Sequence, residues 1–138
     1  MTPREIAIKV AWSYLGTPYL WGGDDFSGFD CSGYVIECLK SGGILPRNGD
    51  WKAVGLYHYS TFKTVMVPYE GCLVFWHNKE KTDIIHVEIC LDDTFSIGAS
   101  GGGSKTKSEA AAILHNAYIK IRPFRTRPGI AGFRDPFS

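Results

Sequence analysis

The sequence predicts an α+β domain on three observations. Residues 3–15 open with helix-start residues and carry an apolar repeat. Residues 30–39 place Val35, Cys38 and Leu39 three and four apart. Residues 84–91 alternate with period two, with Ile85, Val87, Ile89 and Leu91 on one face and His86, Glu88 and Cys90 on the other. Helices first, then several strands with one helical insertion, is the order of an α+β fold. At 138 residues, a single domain over 1–138 with one hydrophobic core is expected.

The elements follow in order. Thr2 caps a helix over Pro3–Leu15, with Pro3 in its first position and Glu5 three residues beyond the cap. Ile6, Val10 and Tyr14 share one face, and Gly16-Thr17-Pro18 ends the helix. Residues 19–30 read as a loop, with tight turns at Gly22-Gly23 and Ser27-Gly28. Asp30 is the expected N-cap of the next helix, Cys31 stands in its first turn, and Gly42-Gly43 stops it. Residues 45–69 read as an aromatic connecting region with one short helix. Strands are expected at 71–76, 84–91, 94–99 and 118–122, with a charged turn at 78–83. Residues 100–107 are flexible by composition. Thr106, with Glu109 three residues on, is the expected cap of a helix running to Asn116. Pro123–Ser138 reads as a wrapping tail.

Composition excludes several classes. Apolar residues make up 44% and charged residues 21% of the chain, proportions of a globule and not of a disordered polymer. Net charge is +1. The basic run Arg122, Arg125, Arg127 is broken by prolines and read as a solvated edge, so no nucleic acid partner is expected. No apolar stretch reaches membrane-spanning length, so no membrane insertion is expected. No signal peptide is visible. The expected context is synthesis in the cytoplasm followed by delivery to its site of action by a partner, a virion, a secretion system or lysis, unless a leader was lost in cloning. The cysteines are Cys31, Cys38, Cys72 and Cys90. Cys31 and Cys38, seven apart on one helix, lie about 10 Å apart at Cα, too far to bridge. No CxxC pair exists, so no metal site is expected.

The chemistry centres on Cys31. Exposed N–H groups at a helix start favour a thiolate, and the residue's own N–H can serve an oxyanion. A cysteine nucleophile needs a base. His86, fixed in mid-strand opposite four aliphatic residues, is the best-placed histidine. His58 lies between Tyr57 and Tyr59, and His77 ends a strand. His115 closes the late helix, where a cation suits the dipole.

The run Tyr19-Leu20-Trp21-Gly22-Gly23 followed by Phe29-Asp30-Cys31-Ser32-Gly33-Tyr34 resembles the opening motif of the NlpC/P60 cysteine peptidases. Ile44-Leu45-Pro46-Arg47, Gly71-Cys72-Leu73-Val74-Phe75-Trp76, His86-Val87-Glu88-Ile89 and Gly132-Phe133-Arg134 resemble its later landmarks, so the likeness spans about residues 5–135. The resemblance implies a papain-like fold, N-terminal helices packed on a central antiparallel sheet. It implies hydrolysis of bacterial peptidoglycan stem peptides, between D-glutamyl and meso-diaminopimelyl or lysyl residues, with no cofactor. Cys31 would be the nucleophile, His86 the base and Tyr19 an oxyanion partner. Asp30, Ser32 and Trp21 would bind substrate. The lack of wall-binding repeats resembles phage-borne or effector-type members and implies a phage particle or other delivery partner.

This sequence departs from the family pattern at three places. Cys72 stands where an aspartate is usual and Glu88 where a small residue is usual. Gly98 stands where the family commonly puts a second histidine to orient the first. Three explanations stay open. Glu88, His115 or Asn116 orients His86; a backbone carbonyl or water does so; or the cleft is inactive and serves binding, as in a structural phage-tail or wall-binding module. An amidase or acyltransferase acting on a non-wall substrate is the further alternative.

Overall fold

A computed structural model describes residues 1–25, 28–100 and 106–138. The first helix, α1 (Pro3–Ser13), starts in a capping box: Thr2 accepts from the Glu5 N–H and the Glu5 carboxylate reaches back to Thr2. Its buried line is Ala7 and Ala11, flanked by Ile8, Val10 and Tyr14. The expected line through Ile6 is thus rotated by one residue, because small side chains let α1 lie close on its neighbour.

That neighbour is α2 (Cys31–Ser41), capped by Asp30 and closed by Gly42. Tyr34, Val35, Cys38 and Leu39 are fully buried, and the Tyr34 hydroxyl donates to the Ala11 carbonyl at 2.8 Å, tying the helices together. The approach loop is more ordered than expected. It holds a two-stranded ladder of β1 (Asp24–Asp25) and β2 (Gly28–Phe29). The turn expected at Ser27 lies outside the described residues. The short helix expected in the connecting region is α3 (Ala53–Tyr57).

The sheet is antiparallel, with order β3-β8-β4-β5-β6-β7. Its strands are β3 (Lys63–Val65), β4 (Leu73–His77), β5 (Ile84–Cys90), β6 (Phe95–Ser100), β7 (Tyr118–Pro123) and β8 (Ile130–Asp135). Leu73, Phe75, Val87, Ile89, Ile97 and Ile119 join the core shared with α1 and α2. Cys72, Val74, Trp76, Cys90 and Phe124 form a second cluster with Phe133. This is the α+β architecture expected, helices packed on a central antiparallel sheet.

Four expectations need correction. The tail is not merely a wrap: β8 inserts between β3 and β4. Its sequence, Ile-Ala-Gly-Phe-Arg-Asp, alternates too weakly to be seen, and prolines flank it. The connecting region also contributes β3 at the sheet edge. Ile85 is 56% exposed, unlike its face-mates Val87 and Ile89, and lines an open cleft. Finally α4 (Glu109–Leu114) is capped by Ser108, whose hydroxyl accepts from the Ala111 N–H at 3.1 Å. Thr106 is instead buried, with its hydroxyl 3.3 Å from His115 Nδ1. The flexible segment expected at 100–107 falls mainly on 101–105, outside the described residues. Among the described residues, no helix is long and apolar enough to cross a membrane.

Candidate active site

Cys31 occupies the first position of α2, where a backbone N–H has no carbonyl in the preceding turn to bond. The Asp30 carboxylate organises this start. One oxygen accepts from the Gly33 N–H at 2.7 Å and the other from the Gly22 N–H at 3.0 Å. The carboxylate therefore ties the glycine loop to the first turn of the helix. Gly33 has to be bare: a Cβ there would lie 2.1 Å from the Gly23 carbonyl oxygen. Burial raises the Asp30 carboxyl above its ordinary range, and the two backbone hydrogen bonds oppose that shift.

Tyr19 is held by its own N–H, which donates to the Ala117 carbonyl at 3.0 Å, and is 5% exposed. Burial pushes its phenol well above the ordinary value, with Cys31 and Asp30 adding to the shift as neighbouring negative groups. It therefore stays a neutral O–H donor near the thiol.

His86 lies on β5, which pairs with β4 from Ile84 through Ile89 but with β6 only at Ile89 and Cys90. Its ring leans on Trp76, with centroids 5.2 Å apart. It shares the cleft lining with Cys31, whose thiol raises its proton affinity, and its Nε2 lies 2.6 Å from Glu88 Oε2. Nδ1 is thus the ring nitrogen left for the sulfur. Burial alone would lower the imidazole's affinity for a proton. The hydrogen bonds and charges of Cys31 and Glu88 outweigh it and raise the pKa to about 9.

Glu88 is 1% exposed, a costly place for a charge without partners. Arg127 meets it as a fork: Nη1 to Oε2 and Nη2 to Oε1, both 2.9 Å. The Ser96 hydroxyl donates to Oε1 at 2.7 Å and accepts from Arg127 at 2.9 Å. Burial opposes ionisation of Glu88, but these bonds and the one to His86 prevail and hold its pKa at about 2. The Arg127 guanidinium also stacks 4.4 Å from the Trp76 ring centre.

These groups border one cleft of about 930 Å³. Tyr19, Trp21, Asp30, Cys31, Ser32, His86 and Arg127 all line it, as do Trp51, Trp76 and the exposed Ile85. Two buried donors without a protein partner, Trp76 Nε1 and Arg122 Nε, belong to residues of the same lining.

The structure separates the three residues considered for orienting His86. Glu88 is in contact with it. His115 is the exposed C-cap of α4, with its Nδ1 against the Thr106 hydroxyl. Asn116 is exposed with φ of +53°, its carbonyl accepting from Lys120. Neither of these two is among the polar partners of His86, which in the described residues are Glu88 and Cys31. The other cysteines, Cys38, Cys72 and Cys90, are buried, and burial raises each thiol above its ordinary value. Among the described residues all four are free thiols.

Arg127 and Ser96 are not among the residues that spacing along the chain points to. The basic run was read as a solvated edge, yet Arg127 is turned inward to Glu88. Glu88 itself was the available signal: a carboxylate flanked by core residues requires a cation, and the strand neighbours offer few.

The NlpC/P60 family model matches residues 16–123. Over 118 residues the chain is 34% identical to the probable peptidoglycan endopeptidase LytE of Bacillus subtilis, covering 83% of this chain and 31% of that protein. Over 93 residues it is 32% identical to the gamma-D-glutamyl-L-lysine dipeptidyl-peptidase of Bacillus cereus, covering 62% of this chain and 25% of that protein. The chain thus spans about a third or less of the length of these curated relatives. The crystal structure of the NlpC/p60 domain of the peptidoglycan hydrolase SagA matches with a TM-score of 0.68 at 27% identity, covering 96% of this chain and 97% of that one. The cysteine at a helix start, the histidine strand behind it and a family match over most of the chain agree: this chain belongs to the NlpC/P60 family.

Proposed function

We propose that this chain is a cysteine endopeptidase acting on peptidoglycan stem peptides, at the bond between a D-glutamyl residue and meso-diaminopimelate or lysine. The observation that carries this reading is that Cys31, at a helix start, and His86, held by Glu88, line the same open cleft. The wall substrate is supported by the names of the relatives, and the bond by the dipeptidyl-peptidase among them. The cleft lining supports it too. Trp21, Trp51 and Ile85 offer apolar contact, while Arg122 and Trp76 carry donors that suit the carboxylates and carbonyls of such peptides.

The mechanism is acyl transfer. The Cys31 thiol gives its proton to His86 Nδ1. The thiolate sulfur bonds to the amide carbon and the C=O pair moves onto oxygen, where the Cys31 N–H and the Tyr19 hydroxyl meet it. As the tetrahedral intermediate collapses, the C–N bond breaks and His86 returns the proton to the leaving amine. A water then loses a proton to His86 and attacks the thioester. The C–S bond breaks, releasing a carboxylic acid and restoring the thiol. Asp30 and Ser32 are suited to hold a substrate amine beside the nucleophile.

The inactive-module reading rested on the missing side chain at Gly98. Glu88 beside His86 supports the active reading instead. The test is incubation of purified muropeptides with the protein. New amino termini are expected, and none with Cys31→Ala. Intact wall binding without cleavage of any chemotype would overturn the assignment.

A further inference from the structure

Gly98 and Glu88 face each other across the β5–β6 junction. A Cβ built at Gly98 would lie 2.4 Å from Glu88 Cγ and 3.0 Å from its Cβ and Cδ. These atoms cannot simply move aside. The carboxylate beyond them is pinned by Arg127 and Ser96, and the side chain is fully buried. Any residue larger than glycine at 98 is therefore incompatible with Glu88 in this position. Conversely, Glu88 occupies the space from which a side chain at 98 would approach the histidine. The two departures from the family pattern, an acid for a small residue at 88 and a glycine for a histidine at 98, are one structural event.

We propose that Glu88 is the positioning residue for His86, that it replaces from the histidine's own strand the side chain the family carries at position 98, and that Arg127 keeps it anionic in the core. This inference rests on the cysteine-peptidase reading for its kinetic consequences, but not for its geometry. The carboxylate fixes the ring by its bond to Nε2 and stabilises the imidazolium formed when the thiol gives up its proton. A neutral orienter at 98 would fix the ring without contributing that charge. Arg127 has the opposing task. Bidentate pairing compensates for burying the acid, and without it Glu88 would take up a proton and lose its hold on the ring.

The charged and titratable groups around this centre are few. Cys31 faces His86 from α2, Glu88 faces it from β5, and Arg127 faces Glu88 from the segment after β7. Lys120 on β7, Tyr34 on α2 and Cys90 on β5 interact with Glu88 at longer range.

The first test needs no substrate. The His86 imidazole is titrated by NMR in the Cys31→Ala protein, with and without Glu88→Gln. Glu88→Gln is expected to lower the midpoint by about 1 or more on the pH scale. An unchanged midpoint in a folded variant overturns the proposal. Should Glu88→Gln fail to fold, Arg127→Gln is read instead. Without the cation Glu88 should take up a proton and release the ring, so the midpoint should fall, and a rise or no change overturns the proposal.

The second test is an exchange. Gly98→His alone should lose most hydrolysis, because its Cβ collides with Glu88. Glu88→Ala alone should lose hydrolysis through a free imidazole. The double variant Glu88→Ala/Gly98→His should recover at least 10-fold over either single change. A double variant no better than Glu88→Ala overturns the exchange. If the unmodified protein cleaves no muropeptide, the peptidase reading fails, and the titration still decides the role of Glu88.

Discussion

Two carboxylates in this molecule are each 1% exposed and each paired with an arginine, yet they serve different ends. Asp135, at the end of β8, accepts from Arg4 Nη2 at 3.0 Å, from the Tyr69 hydroxyl and from the Phe137 N–H. This binds α1 to the sheet. Glu88 accepts from Arg127 and Ser96, but its remaining partner is His86. At both sites burial opposes ionisation and the hydrogen bonds overcome it, so both carboxyls lie below their ordinary range. A buried acid–arginine pair is therefore by itself only a fastening. At Glu88 the third partner is an imidazole that borders the cleft holding the Cys31 thiol. At Asp135 the third partner is a phenol, raised to about 12 by that hydrogen bond.

Substitutions can break or sharpen this contrast. The largest effect is expected from Cys31→Ala, with hydrolysis lower by on the order of 10³-fold or more and an unchanged melting temperature. Glu88→Gln should reduce kcat by roughly 10- to 100-fold. It should also move the alkaline limb of the pH–rate profile to lower pH, since the imidazolium loses its anionic partner. Asp135→Asn should leave kcat and both limbs in place while lowering stability by about 1–3 kcal/mol in urea titrations. Equal kinetic losses in these two variants would erase the distinction.

The pH dependence of stability separates the networks further. The Glu88 pKa falls from 4.5 to about 2 on folding, so its stabilisation is complete above about 4.5 and lost as pH falls through about 2. Asp135 shifts in the same direction. The His86 pKa rises from 6.5 to about 9, so its stabilisation is complete below about 6.5 and lost as pH rises through about 9. Between those two values, urea midpoints should fall for the unmodified protein and for Asp135→Asn, and fall less for Glu88→Gln. The same alkaline loss in all three proteins would remove His86 as its source. The smallest effect is expected from Tyr69→Phe, about 1 kcal/mol of stability with activity unchanged.

Much of the molecule was legible in the chain. The capping residues Thr2 and Asp30 announced both N-terminal helices, because capping is local chemistry within three residues. The alternation of 84–91 announced β5 and placed His86 and Glu88 on one face. β8 was hidden because its pairing partners, β3 and β4, lie about sixty residues away. A weakly alternating segment acquires its strand identity from them. Ser108 displaced Thr106 as a cap because the tertiary fold buries Thr106 against His115.

That a cysteine opens a helix, that a histidine stands in mid-strand, and that position 98 carries no side chain to support that histidine can all be read along the chain. Local hydrogen bonding and side-chain periodicity suffice for each of these. It took the three-dimensional packing to set Glu88 against His86 and leave His115 and Asn116 exposed, to turn Arg127 inward, and to bring the bare Gly98 against the buried acid opposite it. Those relations depend on which atoms share a volume of a few ångströms across neighbouring strands. Packing and charge neutrality set that arrangement, and no spacing along the chain encodes it.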